Sequence, residues 1–139
     1  MRFALLGPLS VSDDAGGPVK VTGPLRRTLL AALLLDAGTP VSADRLAALL
    51  WGEKVTGTAY APLHAQLTRL RQTLGDEDRV RAMPPGYLIH VGPGELDLQV
   101  FAEESAAGRR KLAEKAWAEA SGHFGAALEL WREIGRAHV

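Results

Sequence analysis

Alternation comes first along this chain. Phe3, Leu5, Leu9, Val11, Val19 and Val21 sit at alternating positions, interrupted at Gly7-Pro8 and again from Asp13 to Pro18. A period of two between turn residues predicts short, half-buried strands over residues 1–22. The pattern then turns helical. Gly23-Pro24 opens a helix expected over Leu25–Ala37, because proline is tolerated at the first helical position and Gly38 suits the exit. Leu29, Leu30, Leu33 and Leu34 form its apolar stripe. Ser42 is the expected N-cap of a second helix, with Asp44 in its first turn and Leu46, Leu49 and Leu50 inward. A polar loop over 52–57 leads to a third helix, expected from about Thr58 to Leu74. Val80–Ala82 and Tyr87–Val91 read as the arms of a hairpin closed by Met83-Pro84-Pro85-Gly86. Beyond Pro93-Gly94, Asp97 is the expected N-cap of the first of two alanine-rich helices, near 98–114 and 116–132.

Three helices followed by a hairpin is the order of a winged helix-turn-helix. The expected class is therefore α+β: an N-terminal antiparallel sheet, three helices and a C-terminal wing over residues 1–92, then a helical hairpin over 93–139.

Composition narrows the chemistry. At 139 residues, with 47% hydrophobic and 23% charged residues, the chain can bury a core and is not expected to be disordered. The absence of cysteine excludes disulfides, thiolate zinc sites and cysteine nucleophiles. His64, His90, His123 and His138 lack metal-ligand or triad spacing, and Gly16-Gly17 precedes a strand, not a helix. No enzyme, metal or cofactor is expected. The longest apolar run, Leu29–Leu35, is far short of the ~20 residues a membrane span needs, and no leader pattern is present. The expected location is the cytoplasm.

Sixteen bases balance sixteen acids, which on its face argues against a nucleic-acid partner. The balance is uneven along the chain. Residues 1–91 carry ten bases and eight acids, and the remainder six bases and eight acids. Placement says more than the sums. At 100° per residue, Leu63, Leu67, Leu70 and Leu74 share one sector of the third helix. Ala61, Ala65, Thr68, Arg69 and Gln72 lie opposite, with Pro62, His64, Gln66 and Arg71 on the flanks. No carboxylate occurs from Thr58 to Gly75. Such a face suits a polyanion. Small side chains allow close approach to a groove, Arg69 has the fork that matches guanine O6 and N7, and Gln66 or Gln72 suits adenine or a phosphate. Arg71, nearer the edge, suits phosphate. Arg26 and Arg27 oppose the dipole in the first turn of helix one unless an anion binds there. Arg79 and Arg81 are the basic residues of the hairpin. A plain solvated face and a tolerated first-turn arginine pair also fit these residues.

Several segments together resemble a known family. Val41-Ser42-Ala43-Asp44-Arg45-Leu46-Ala47-Ala48-Leu49-Leu50-Trp51-Gly52 is similar to the helix-two signature of SARP regulators, the Streptomyces antibiotic regulatory proteins. Gly23-Pro24-Leu25-Arg26-Arg27 resembles their helix-one opening, and Leu67-Thr68-Arg69-Leu70-Arg71-Gln72-Thr73-Leu74-Gly75 the end of their recognition helix. Pro84-Pro85-Gly86-Tyr87-Leu88 resembles their wing. Gly94-Glu95-Leu96-Asp97-Leu98 with Phe101 resembles the junction into their bacterial transcriptional activation domain, or BTAD.

The resemblance implies an OmpR-type winged helix that activates secondary-metabolite genes from direct repeats, as head-to-tail protomers on double-stranded DNA. It maps Ala65 and Arg69 onto base-facing positions, and Gln66, Thr68 and Arg71 onto backbone or edge positions. Ala65, Arg69, Gln66 and Thr68 are thus the candidates for the bases, and Arg26, Arg27, Arg71, Arg79 and Arg81 those for phosphate. The loop with Glu53, Lys54, Val55 and Thr56 maps onto the surface that faces RNA polymerase holoenzyme. Pro62 in the first turns of the third helix, His64 and Met83 depart from the family pattern.

In the C-terminal pair, Phe101, Gly108 and Leu112 are expected to face Trp117, Ala120, Phe124, Ala127, Leu128 and Trp131. Leu98–Trp131 spans 34 residues and resembles one tetratricopeptide repeat. One repeat cannot bury its face alone, so a fragment or a shortened form of a longer regulator is expected, with Trp117, Phe124 or Trp131 docked or left bare for a partner. The alternative function is a protein-interaction module whose winged helix does not bind DNA.

Overall fold

The computed structural model describes residues 1–52 and 60–137, of which 132–137 by backbone alone. Among the described residues, six short strands and five helices follow one another as β1 (Arg2–Ala4), β2 (Ser10–Ser12), β3 (Pro18–Val19), α1 (Pro24–Leu35), β4 (Val41–Ser42), α2 (Ala43–Trp51), α3 (Tyr60–Leu74), β5 (Val80–Met83), β6 (Gly86–Ile89), α4 (Asp97–Ala113) and α5 (Trp117–Ala137). They form two compact units. One comprises Met1 and Ser10–Gly92, the other Arg2–Leu9 and Pro93–Val139. A linear division at residue 92 has no place for this exchange of the first strand.

In the first unit, β2 and β3 pair antiparallel with Val11 opposite Val19. Asp13 shapes their turn: its Oδ1 accepts the N–H groups of Ala15 at 3.0 Å and Gly17 at 2.8 Å. Pro24 begins α1, and Leu29, Leu30, Leu33 and Leu34 are fully buried. Gly38, at φ 82°, ends the exit turn, and its N–H donates to the carbonyl of Ile89 at 2.9 Å.

The N-cap of α2 is as expected, with Ser42 Oγ accepting the Arg45 N–H at 3.1 Å. Its inward sector differs. Leu46 and Ala47 are buried, whereas Leu49 is 52% exposed. Leu46, Leu50 and Ala47 span about 100° of the helix, and Leu49 falls outside that arc. In α3 all four leucines, Leu63, Leu67, Leu70 and Leu74, are buried. Each stabilises the fold by about 1.5–3 kcal/mol relative to exposure. Pro62 is the third residue of α3, where an N–H would have no helical acceptor, so it costs no hydrogen bond.

The second sheet of this unit has the order β4-β6-β5, all antiparallel. The sequence pattern did not reveal β4, because two residues are too few to show a period. Its contact with β6 explains Gly86. A Cβ there would fall 1.8 Å from the Val41 carbonyl oxygen, so only glycine fits against that backbone.

In the second unit Phe3 is buried, and its N–H donates to the Glu95 carbonyl at 2.7 Å, beside a parallel bridge to Leu96. Asp97 is not the N-cap. That position is Leu96, and the Asp97 carboxylate instead accepts the backbone N–H groups of Leu5 at 2.8 Å and Leu6 at 3.2 Å. A capping carboxylate satisfies its own helix; this one satisfies the segment after β1. Helices α4 and α5 approach closely at Gly108, where a Cβ would lie 2.6 Å from the Phe124 ring. Ala120 and Ala127 are buried at the same seam. His123 Nδ1 lies 2.8 Å from Glu104 Oε2, and the Phe101 and Trp131 rings meet edge to face with centroids 5.9 Å apart.

Helix α4 ends in a Schellman turn. The Lys115 N–H donates to the Leu112 carbonyl and the Ala116 N–H to the Lys111 carbonyl, at 3.0 and 2.9 Å, with Lys115 at φ 60°. Gly108, Ala120 and Ala127 are buried as expected, Phe124 packs on Gly108 and Trp131 meets Phe101, whereas Trp117, Leu128 and Leu112 are exposed by 61%, 55% and 47%.

Candidate nucleic-acid interface

Helix α3 positions the candidate base contacts. Its four leucines anchor one side in the core, which fixes the opposite side outward. Ala61, Ala65, Arg69 and Gln72 are exposed there, and Thr68 and Gln66 are half-buried. The outer face carries no acid. The Arg69 side chain makes no hydrogen bond or ion pair among the described residues, and its carbonyl accepts the Thr73 hydroxyl at 2.9 Å. Thr68 is less free, since its Oγ1 donates to the His64 carbonyl of its own helix at 3.0 Å. The side-chain oxygen of Gln66, Oε1, is buried without a hydrogen-bond partner.

The candidate phosphate contacts differ in how far the fold has already engaged them. Arg71 is half-buried and its Nε donates to the Val80 carbonyl at 2.9 Å, tying α3 to β5. Arg79 is held at the open end of the hairpin, with Nη1 donating to the His90 carbonyl at 3.3 Å and Nε 3.5 Å from Asp76 Oδ2. Arg81 is exposed, and its Nε donates to the Asp78 carbonyl at 2.7 Å. Arg27 Nη1 donates to the Val21 carbonyl at 3.2 Å. Arg26 is half-buried with its Nε unpartnered. Arg27, Arg71, Arg79 and Arg81 therefore brace backbone carbonyls, whereas Arg26 does not.

An open cleft of about 530 Å³ separates the end of α3 from the hairpin. Thr68, Arg71 and Gln72 line one side, Val80, Arg81 and Ala82 the other, and Glu77 and Asp78 complete it. The basic residues of α3 and β5 thus share one surface. A link the sequence pattern did not show joins α2 to α3: the Tyr60 hydroxyl donates to Asp44 Oδ1. This bond and the nearby negative charge raise the Tyr60 pKa. The loop residues Glu53, Lys54, Val55 and Thr56 lie outside the described residues.

No group of His, Asp and Glu residues able to hold a metal occurs among the described residues. No helix among them is long and apolar enough to cross a membrane.

Comparisons with known proteins point to a transcriptional regulator. Residues 96–137 match the family model of the bacterial transcriptional activator domain. The chain is 38% identical over 137 residues to the transcriptional regulatory protein EmbR of Mycobacterium tuberculosis, covering 95% of this chain and 35% of that protein. It is 30% identical to the regulatory protein DnrI of Streptomyces peucetius, covering 95% of this chain and 52% of DnrI. It is 33% identical to the regulatory protein AfsR of Streptomyces coelicolor, covering 94% of this chain and 13% of AfsR. The structure of Mycobacterium tuberculosis EmbR in complex with a low-affinity phosphopeptide superposes with a TM-score of 0.84 at 36% identity, covering 94% of this chain and 35% of that one. Together these findings support a SARP-family transcriptional regulator. The chain spans about a third of the length of EmbR and about half that of DnrI.

Proposed function

We propose that this chain is the DNA-binding and leading BTAD segment of a transcriptional activator. In this reading the elements between residues 1 and 92 are an OmpR-type winged helix-turn-helix, with β5 and β6 as the wing. Residues 93–139 are then a TPR-like hairpin. Helix α3 enters the major groove of a direct repeat, with Ala65, Arg69, Gln66 and Thr68 toward the bases. Arg26, Arg27, Arg71, Arg79 and Arg81 meet phosphate, Glu53, Lys54, Val55 and Thr56 face RNA polymerase, and two protomers lie head to tail. The controlled genes are those of secondary metabolism, and the setting is the cytoplasm. No catalysis is assigned.

One observation carries the reading: the acid-free outer face of α3, set on four buried leucines, with Arg69 exposed and uncommitted. A solvated helix face ordinarily mixes acids with its bases, and a polyanion is the ligand that acids would repel.

The test is a footprint and gel shift on promoters next to the gene, at several salt concentrations. Affinity should fall steeply with salt, and the protected region should contain a direct repeat. Arg69→Ala should cost about 1–3 kcal/mol and relax selectivity at one base pair, whereas Arg81→Ala should weaken all sites alike. A folded protein with no salt-sensitive affinity for any promoter DNA overturns the reading.

A further inference from the structure

Helix α3 is tied to its surroundings by polar bonds near both ends. Toward its C-terminus, Arg71 Nε donates to the Val80 carbonyl of β5 at 2.9 Å. At its first residue, the Tyr60 hydroxyl donates to Asp44 Oδ1 in the first turn of α2. Arg71 follows Tyr60 by eleven positions. That spacing places them about 16 Å apart along the helix and about 20° apart round it. Both ties therefore lie on one flank, beside the leucine stripe. Ala65 and Arg69 fall about 140° and 180° round from Tyr60, on the outer face.

Asp44 is a fixed anchor. Ser42, two residues before it, pairs with Gly86 of β6 and caps α2 through its Oγ. The Ala43 N–H donates to the Pro85 carbonyl, between β5 and β6, at 3.2 Å. Leu46 and Ala47 seat α2 in the core. Asp44 thus stands on backbone bonded to the β5–β6 hairpin, the element that holds Arg71 at the other end. One scaffold grips α3 at two points. The leucine stripe sets which face of α3 turns outward, but apolar contact is non-directional and leaves the tilt of the axis soft. Two directional bonds far apart fix it. The dipole of α2 favours an acid at position 44. It gives no reason for a hydroxyl-bearing ring at position 60, which is 47% exposed.

We infer that Tyr60 is a positioning residue for DNA recognition: through Asp44 it fixes the tilt of α3 against the β5–β6 hairpin, so that Arg69 and the hairpin meet one duplex in register. The inference rests on the reading of α3 as the recognition helix. It reverses the sign that electrostatics alone would give. Asp44→Ala removes a negative charge near a polyanion, which by itself tightens binding, whereas loss of the tie weakens it. Asp44→Asn removes the same charge but keeps an oxygen that accepts the hydroxyl.

The whole chain is offered a random duplex DNA library, and affinities for the duplex it selects are measured with Tyr60→Phe, Asp44→Ala, Asp44→Asn and Tyr60→Phe/Asp44→Ala. Tyr60→Phe and Asp44→Ala should each weaken binding by about threefold or more. The double variant should lose no more than either single one, because both remove one tie. Asp44→Asn should bind at least as tightly as the natural chain. The denaturant midpoint of Tyr60→Phe should be unchanged, which separates positioning from general support. In NMR the Tyr60 ring should titrate at lower pH in Asp44→Ala, where the acceptor and charge that raise its pKa are gone. Undiminished affinity in Tyr60→Phe, tighter binding by Asp44→Ala, additive losses in the double variant or an unmoved Tyr60 titration overturns the inference and leaves the reading of α3 intact. Weakening in step with a lowered denaturant midpoint overturns it in favour of plain structural support. No salt-sensitive selection of any duplex by the natural chain overturns the reading of α3 itself, and this inference with it.

Discussion

Helix α3 hides all four of its leucines and turns alanine, amides, a hydroxyl and arginine outward. Helix α5 hides Ala120 and Ala127 and leaves Trp117, Leu128 and Trp131 exposed. The two helices use burial in opposite ways. In α3 the apolar stripe is spent on holding the helix still, so its polar face is the part available to a ligand. In α5 the seam is built of Ala120, Ala127 and the Phe124 ring on Gly108, with Trp131 edge-on to Phe101, while Trp117 and Leu128 stay outside. Mutations should therefore separate the two: in α3 the buried set governs stability and the exposed set recognition, whereas in α5 the outward Trp117 and Leu128 matter little to stability.

The largest break of that contrast is Leu67→Ala, expected to cost about 2–5 kcal/mol by loss of burial and the cavity left behind. Denaturant unfolding reports it, and hydrogen exchange should show the loss concentrated in residues 10–92. Gly86→Ala comes next. A methyl group cannot coexist with the Val41 carbonyl, so β4 must part from β6 at a cost of about 2–3 kcal/mol. Amide protection should fall at Val41 and Tyr87 first. Asp97→Ala leaves the N–H groups of Leu5 and Leu6 without their acceptor and should cost about 1–2 kcal/mol, confined to the unit that contains α4. Trp117→Ala is the smallest, within about 0.5 kcal/mol, because an exposed ring has little burial to lose. A loss above 2 kcal/mol there would show that α5 depends on its large side chains and erase the contrast with α3.

Long apolar stripes were the most legible features. The leucines of α1 and α3 and the Ser42 cap are where the pattern puts them, because period and capping are local. Local signals failed where a distant partner decides. Asp97 has the right residue type for a cap, but two backbone donors more than ninety positions away claim its carboxylate. Gly86 reads as a turn residue, while the structure requires it for contact with Val41. Leu49 was expected inside because leucine so often is, yet the arc of α2 is already filled by Leu46, Leu50 and Ala47. In the candidate site, the sequence shows which arginines are present but not which are already spent. That Arg71, Arg79 and Arg81 brace backbone carbonyls while Arg69 stays free depends on hairpin geometry that no spacing reveals.

The Asp97 carboxylate has a practical consequence for dissecting the molecule. Because it holds the N–H groups of Leu5 and Leu6, the helical unit is discontinuous in sequence, and no single cut of the chain isolates it. A fragment starting at Pro93 would leave that carboxylate without its donors and Leu96 without its neighbour Phe3. A circular permutant that carries residues 2–9 after the helices would restore both.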